Sequence, residues 1–379
     1  MKLFLFLYFL IYGSIHAYAY MRFCAAFALP FPAKVVTILI LAFMVLCPIL
    51  IRVSENFGYT KTACILSYVG YLWMGIVFLF FASSLVLDIY RFVIFLGGKI
   101  SPTPLSHFVP SSRLLFLLPL AVSLAVNLYG YFEALNIRAE SITIRSAKIP
   151  SSVGRIRIVQ ISDVHVGMII QGERLARMMA AAKAAKPDIL VSTGDLVDGQ
   201  IDSIDRSINI LRDIPATYGK YAVTGNHEFY AGLDQALQFT QDAGFTVLRG
   251  EAAYVAGLVR LVGVDDPTAR QMGRHVGIPE KDLLAPGMAS ALFTILLKHQ
   301  PIIREESLGI FDLQLSGHTH RGQIFPFNLI TGLFFPRQAG YYNLPKGSAL
   351  YVSRGTGTWG PPVRFLSPPQ ITVIDLIHE

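Results

Sequence analysis

Long apolar runs fill the first third of the chain. Four of them approach the ~20 residues that a helix needs to cross ~30 Å of hydrocarbon. They are residues 4–20, 35–51, 65–87 and 114–132. One such run alone is compatible with a buried core helix, but four in succession, separated by short loops with Arg and Lys, are typical of a membrane anchor. We therefore expect residues 1–134 to form a four-helix transmembrane region.

The first apolar run has a second interpretation. It follows Lys2 and ends near Ala17-Tyr18-Ala19, which resembles the cleavage site of a signal peptide. We favour an uncleaved span, because Tyr18 and Tyr20 suit a membrane interface, where aromatic side chains are enriched.

The charges of the loops predict which side of the membrane the chain ends on. With four spans, the first and third loops share one side and carry five Lys or Arg, against Lys2, Arg52 and Lys61 on the other side. Basic residues concentrate on the cytoplasmic side, so this count places the C-terminal part outside the cytoplasm. Three basic residues between positions 138 and 148 argue the other way.

From residue 135 the pattern changes to short β-rich runs and amphipathic helices. Residues 135–154 are expected to be a linker or first strand, and residues 155–379 a folded domain. Alternation and apolar runs predict strands at residues 155–162, 188–193, 220–224, 258–264, 293–297, 313–316, 349–353 and 371–376. An Ala-rich helix is predicted at residues 173–185. Strands that alternate with helices and then follow one another indicate a mixed α/β sandwich with helices outside.

Composition changes at the same boundary. The chain is 53% hydrophobic, above an ordinary soluble protein. Residues 1–134 contain eight Lys or Arg and three Asp or Glu, a net charge of +5, whereas the remainder contains 24 and 22, a net charge of +2. A domain with so small a basic excess is not expected to bind nucleic acid. The cysteines, Cys24, Cys47 and Cys64, all precede it, which excludes a disulfide framework there.

Five short polar clusters in the domain each follow a predicted strand. They are Asp163-x-His165, Gly194-Asp195, Gly225-Asn226-His227-Glu228, His299 and Gly317-His318-Thr319-His320. Each alone is typical of a surface loop or turn, but together they contain five of the nine histidines. Carboxylate, amide and imidazole ligands suit Mn, Fe or Zn better than Ca or Mg, which prefer oxygen alone.

In this order, the five clusters resemble the motifs of the calcineurin-like metallophosphoesterases. The stretches LQLSGHTHRGQI and YVSRGTGTWGPPVRF further resemble a bacterial membrane-associated branch, with YkuE-type phosphoesterases and UDP-2,3-diacylglucosamine pyrophosphatases. The resemblance covers about residues 155–376. It implies a two-sheet β-sandwich flanked by helices, in four layers α/β/β/α.

The resemblance also implies a site with two divalent transition-metal ions. Mn is the first candidate, and Fe or Zn would also be accepted by this ligand set. One ion would be held by Asp163, His165, Asp195 and His320. The second would be held by Asp195, Asn226, His299 and His318, so that Asp195 bridges the pair. A hydroxide between the metals is the implied nucleophile, because two cations lower the pKa of a shared water.

His227 is the implied catalytic residue, because this position of the family motif faces the phosphate and does not bind metal. An imidazolium there can protonate the leaving group or offset charge on the phosphoryl oxygens. The alternative is that it only packs the ligand loop. The implied reaction is hydrolysis of a phosphodiester, phosphomonoester or pyrophosphate bond.

The anchor adds an expectation about substrate. An enzyme held at the bilayer meets lipid-linked phosphates at a high local concentration, so a lipid-linked phosphate ester is favoured over a soluble one. A membrane sensor or transporter with a metal-binding domain is the alternative of another class.

Other residues near the motifs are weaker candidates. Asp198 and Glu228 are candidate acceptors for ligand imidazoles, or are exposed charges. Arg321, Arg354 and Arg364 are candidate phosphate clamps. Residues 268–286 and 328–345 lie between motifs and are candidate walls of the substrate site, without a recognisable pattern.

Overall fold

The computed structural model of the protein describes residues 2–101, 104–199, 205–274, 277–286 and 291–379. The chain divides into two compact units. One contains Met1–Tyr131 and Gly360–Val363, and the other contains Phe132–Trp359 and Arg364–Glu379.

Within the part of the first unit that the structure describes there are four α-helices: α1 (Lys2–Ala26), α2 (Phe31–Asn56), α3 (Thr60–Ile100) and α4 (Ser112–Glu133). Within the described residues, three stretches are long and apolar enough to cross a membrane: Phe31–Asn56, Thr60–Ile100 and Ser106–Glu133. The structure therefore confirms long apolar helices at the N-terminus. Membrane crossing by α1, which corresponds to the first predicted span, stays a prediction.

Polar contacts join α1 to α3. The Tyr18 hydroxyl donates to Asp88 Oδ2 at 2.6 Å, and Arg22 pairs with the same carboxylate. Trp73 Nε1 donates to His16 Nε2 at 2.8 Å. Polar side chains among apolar helices need partners of this kind, because hydrocarbon offers none. The uncleaved interpretation of the first run stays a prediction.

The second unit has seven helices and twelve strands among the residues that the structure describes. The helices are α5 (Gly172–Ala184), α6 (Asp205–Arg212), α7 (Asn226–Ala231), α8 (Leu233–Asp242), α9 (Thr268–Gln271), α10 (Glu280–Leu284) and α11 (Phe327–Phe334). The strands are β1 (Arg138–Arg145), β2 (Arg155–Ile161), β3 (Ile189–Ser192), β4 (Lys220–Ala222), β5 (Thr246–Val247), β6 (Glu251–Val255), β7 (Val259–Gly263), β8 (Phe293–Leu297), β9 (Leu313–Ser316), β10 (Gly340–Asn343), β11 (Ala349–Val352) and β12 (Gln370–Ile377).

The strands form two six-stranded mixed sheets. The order in the first sheet is β1-β12-β2-β3-β4-β5, and the order in the second is β10-β11-β9-β8-β7-β6. Strands β2, β3, β4 and β5 run parallel to one another in the first sheet, and β7, β8, β9 and β11 run parallel to one another in the second. The carboxyl ends of parallel strands meet at one edge, which brings the loops that follow them together.

Two apolar cores hold the sheets in place. The core between the sheets contains Ile158 and Val191 from the first sheet and Ile295 and Leu315 from the second, all fully buried. The opposite face of the first sheet packs against helices α5, α6 and α8, with Phe239 at its centre. Alternate residues of each strand point to opposite faces, so a strand such as β2 serves both cores.

A smaller apolar cluster covers the outer face of the second sheet. Leu284 of α10 packs there against Val262 and Leu296. The layers are therefore helices, sheet, sheet, and a thin outer layer of α10 with its neighbouring loops. The predicted two-sheet sandwich flanked by helices is confirmed.

Candidate metal centre

The polar clusters lie where the parallel strands end. Asp163 and Asp195 follow β2 and β3, and Asn226 begins α7 just after β4. In the facing sheet, His299 follows β8 and His318 follows β9. The ends of both sheets therefore contribute to one site, as the spacing of the motifs predicts.

The first group of donors is Asp163, His165 and His320, all buried. The two imidazoles approach with their Nε2 atoms 3.1 Å apart, and His320 Nε2 lies 3.4 Å from Asp163 Oδ1. Two donors bound to one cation at ~2.0–2.2 Å, at about a right angle, lie ~3 Å apart. The spacing in this group is therefore that of the ligands of a single ion.

The second group is Asp195, His299 and His318. His299 Nε2 lies 3.2 Å from Asp195 Oδ2 and 3.1 Å from His318 Nδ1. Asp195 Oδ2 also lies 3.9 Å from His165 Nε2 of the first group. Asp195 is thus the carboxylate between the two groups, the position implied for a bridging ligand.

Asn226 contributes an oxygen that no protein group satisfies. Its Oδ1 is buried and has no hydrogen-bond partner. A buried amide oxygen without a partner costs free energy, on the order of 1–3 kcal/mol. A cation would remove that cost, so the donor set fits a metal centre.

The charges of the metal-free site also fit cations. Burial raises the pKa of Asp163 to about 6, and the neighbouring Asp195 adds to the rise. Burial opposes the charge of Asp195 too, but His299 and His227 hold the pKa of Asp195 well below its usual range. Burial lowers the pKa of His165 to about 4, so that imidazole is neutral and its lone pair is available to a metal.

Hydrogen bonds around the donors orient them. His299 Nδ1 lies 2.8 Å from the Thr193 carbonyl oxygen, which accepts only, so Nδ1 carries a proton and Nε2 is the nitrogen that faces Asp195. The backbone N–H of His318 donates to Asp163 Oδ1 at 2.9 Å. Each ligand group is therefore fixed by the strand end of another.

The backbone of the donors has an uncommon conformation. Five of the seven predicted ligands have positive φ in the left-handed region: Asp163, His165, Asp195, His318 and His320. Each such residue other than glycine costs on the order of 1–3 kcal/mol and persists where the surroundings hold it in place. This free-energy cost indicates that the packing of the site, and not the backbone preference of each residue, sets the geometry of the predicted ligands.

Glycine before a ligand has a steric reason at two of the strand ends. A Cβ at Gly317 would lie 2.2 Å from Asp163 Oδ2, and a Cβ at Gly225 would lie 2.2 Å from Asp195 Oδ1. No side chain fits at such distances. The glycines of the Gly-His-x-His and Gly-Asn-His-Glu motifs therefore let one strand end approach the carboxylate of another.

His227 stands beside the donors and is partly exposed. Its backbone N–H donates to Asp195 Oδ1 at 2.8 Å, and its Nδ1 lies 2.9 Å from Asp198 Oδ1. Its ring meets the rings of His165 and Trp359 edge-on. Burial would lower the pKa of His227, but the charges of Asp195 and Asp198 outweigh it and raise the pKa to about 9.

Asp198 and Glu228 have partners other than the expected ligand imidazoles. Asp198 contacts His227. Glu228 is buried and accepts from the backbone N–H groups of Gly225, Asp195 and Leu196 at 2.6, 3.0 and 2.7 Å. Glu228 thus joins two ligand loops through their backbone, which the sequence alone did not indicate.

The three arginines differ in position. Arg364 is fully buried, and its guanidinium donates to the carbonyls of Gly357 and Arg354, with Nη2 3.0 Å from His320 Nδ1. Arg354 is also buried, and it pairs with Glu140. Neither matches the expected phosphate clamp. Arg321, next to His320, is exposed, so it alone of the three keeps the position that a clamp requires.

A buried cluster of Asp, Asn and His at the strand ends of a two-sheet α/β sandwich is typical of a metal-dependent hydrolase. Comparison with known proteins narrows this class. Residues 156–322 match the family model of the calcineurin-like phosphoesterases. An uncharacterised metallophosphoesterase of Aquifex aeolicus is 38% identical over 67% of this chain and 97% of its own length. The uncharacterised metallophosphoesterase YkuE of Bacillus subtilis is 31% identical over 65% of this chain and 89% of its own.

The name of a third relative describes it as a transmembrane protein. The transmembrane protein with metallophosphoesterase domain of Danio rerio is 30% identical, over 68% of this chain and 62% of its own length. The chain belongs to the calcineurin-like metallophosphoesterases, and it is a phosphoester hydrolase associated with a membrane.

Proposed function

We propose that the protein is a membrane-anchored phosphoesterase with two divalent metal ions, which hydrolyses a phosphodiester, phosphomonoester or pyrophosphate bond in a lipid-linked substrate. The observation that carries the proposal is that six of the seven predicted donors, from two sheets, lie in two adjoining groups with Asp195 between them, while the buried Oδ1 of Asn226 has no hydrogen-bond partner. Manganese is the first candidate, and iron and zinc also suit Asp, Asn and His ligands.

In this proposal, Asp163, His165 and His320 would hold one ion, and Asn226, His299 and His318 would hold the other. The carboxylate of Asp195 would serve both, and its negative charge would offset the repulsion of two nearby cations. Bound there, the ions would stabilise charge on the phosphoryl oxygens and lower the pKa of water to supply a nucleophile. The protein fixes the donors through Thr193, Glu228 and the backbone of His318.

His227 acts as the acid in the proposed reaction. Asp198 bonds to its Nδ1, which leaves Nε2 free to face a substrate, and Asp195 holds its backbone N–H. An imidazole fixed on two sides in this way can deliver a proton to the leaving oxygen without reorienting. The alternative that His227 only packs the loop is disfavoured, because the side chain is partly exposed at the edge of the site.

The lipid-linked substrate is a more specific proposal than the metal centre and the class of reaction. Its support is the three candidate membrane helices of the same chain, which hold the site within reach of lipid phosphates. The side of the membrane on which the domain lies stays the prediction made from the loop charges.

Hydrolysis by the full chain in detergent, with Mn²⁺, tests the substrate class. We expect kcat/KM for a polyprenyl or diacyl lipid diphosphate to exceed that for a nucleotide diester and for bis-p-nitrophenyl phosphate by at least about tenfold, since the lipid supplies binding energy that small esters lack. Equal values for all three would contradict a lipid-linked substrate and favour a soluble one. No Mn²⁺-dependent hydrolysis of any ester would contradict the metal centre itself.

A further inference from the structure

Helix α11 presents an exposed apolar surface on the second unit. None of the eight residues of α11 is buried, and none is charged. Leu329, Ile330, Leu333 and Phe334 are exposed to 62%, 49%, 80% and 74%. A helix on the surface of a soluble domain normally turns its apolar residues inward. A contiguous exposed patch of this kind marks a contact with another apolar phase.

Helix α11 is joined directly to the loop that carries two of the predicted ligands. Its residue Asn328 lies so close to Gly322 that a Cβ on the glycine would meet the Asn328 nitrogen at 2.3 Å. The Thr319 hydroxyl donates to the Gln338 carbonyl at 2.6 Å, and Gln338 Nε2 donates to the Asn328 carbonyl at 3.0 Å. The orientation of α11 therefore follows that of the metal-binding loop.

The end of α11 also touches a ligand. Phe335, at its C-terminal end, meets the ring of His318 edge-on, with centroids 4.9 Å apart. The apolar surface thus begins at the metal centre and extends away from it along α11. Any surface that covers α11 would therefore lie next to the candidate metal centre.

The charges of this region favour an anionic surface. Between Asp312 and Asp375 the sequence contains five Lys or Arg and no Asp or Glu. Arg321 and Arg337, on either side of α11 in the sequence, are exposed, as is Lys346. Apolar residues beside basic ones are typical of segments that lie at the interface of an anionic bilayer.

We propose that α11 lies in the headgroup region of the bilayer, with Leu329, Ile330, Leu333 and Phe334 against the acyl chains. We take a bilayer as the partner that covers α11, because the helices of the same chain are apolar and long enough to cross one. The arrangement would hold the metal-binding loop at the level of the lipid phosphates. The proposal rests on the proposed function for its purpose, since it supplies a route for a lipid-linked substrate.

A nitroxide on α11 tests this directly. Leu333→Cys is made in the full chain with Cys24, Cys47 and Cys64 changed to Ala, spin-labelled, and reconstituted into vesicles of phosphatidylglycerol and phosphatidylethanolamine. The matched control is Tyr254→Cys, because Tyr254 is 61% exposed on β6, at the edge of the second sheet opposite to β10. Collisions with oxygen, which dissolves in lipid, are compared with collisions with a water-soluble nickel complex.

We expect the label at position 333 to collide more often with oxygen than with nickel, and the label at position 254 to show the reverse. Equal nickel access at both positions would mean that α11 lies in water and would overturn the proposal. Low access to both reagents at position 333 would mean that protein, such as a second copy of the chain, covers α11, and would overturn it too.

A kinetic test needs no labels. Leu333→Asp with Phe334→Asp is expected to lower kcat/KM on a lipid diphosphate in vesicles by at least about tenfold and to leave hydrolysis of bis-p-nitrophenyl phosphate unchanged. Unchanged hydrolysis of the vesicle substrate would contradict membrane docking. Failure of the unmutated chain to hydrolyse both the lipid diphosphate and the soluble ester would count against the proposed function, and the label experiment would still decide the position of α11.

Discussion

Asp195→Asn is expected to abolish metal-dependent hydrolysis, with kcat lower by on the order of 10³-fold or more. Asparagine keeps an oxygen for the backbone N–H of His227 but removes the negative charge between the two donor groups. A metal pair contributes several kcal/mol of charge stabilisation to the transition state, and each 1.36 kcal/mol is about tenfold in rate. The measurement is kcat on bis-p-nitrophenyl phosphate with saturating Mn²⁺, together with the metal content of the purified chain.

Asp234→Asn is the matched control for this substitution. Asp234 is exposed in the first turn of α8, so the same loss of charge there should leave both activity and metal content unchanged. Activity of the Asp195 variant within tenfold of the unmutated enzyme would show that the carboxylate does not bridge two ions.

His227→Ala is expected to act through the leaving group. On a dialkyl phosphate ester, whose alkoxide must be protonated as it leaves, kcat should fall by ~10²–10⁴-fold, the usual contribution of a general acid. On a p-nitrophenyl ester the loss should be much smaller, because p-nitrophenolate leaves without a proton. Metal content should not change, since His227 is not among the proposed ligands.

The comparison between the two esters separates the roles of His227. An equal loss on both would indicate that His227 neutralises phosphoryl charge and does not donate a proton. No loss on either would leave it a packing residue. His378→Ala serves as the control, because His378 is exposed and makes one hydrogen bond, to the carbonyl of Ile149.

The sequence predicted most of the strands that position the site. The interpretation was reliable at buried strands such as β8 and β9, whose predicted bounds match the structure, because an uninterrupted apolar run next to a polar motif leaves few alternatives. The two-residue strand β5 is too short to give a periodic signal. The order of the motifs and their positions at strand ends are therefore enough to predict that the donors lie close together.

Other features depend on contacts between distant segments. Glu228 directly follows a motif histidine, and no sequence pattern shows that its carboxylate accepts from the backbone of Asp195, 33 positions earlier. The left-handed backbone of the donors is likewise imposed by packing, since Asp and His do not require it. Arg364 resembled a phosphate clamp only because burial cannot be read from the sequence around a single arginine.

Helix α11 was missed for another reason. FNLITGLF spans only about two helical turns, which is too few positions for a helical period to show in the sequence. Its exposed apolar residues Leu329, Ile330, Leu333 and Phe334 form the face that the proposed position in the headgroup region requires. The helix that the sequence did not predict is therefore the one on which the further inference depends.

The central claim is that seven donors from two sheets bind a pair of metal ions bridged by Asp195. Electron paramagnetic resonance of the full chain loaded with Mn²⁺, with the manganese content measured on the same sample, tests it most directly. Two ions ~3.5–4 Å apart are expected to give an exchange-coupled spectrum at two manganese per chain. One manganese per chain, or two with only the six-line spectrum of isolated Mn²⁺, would contradict the account.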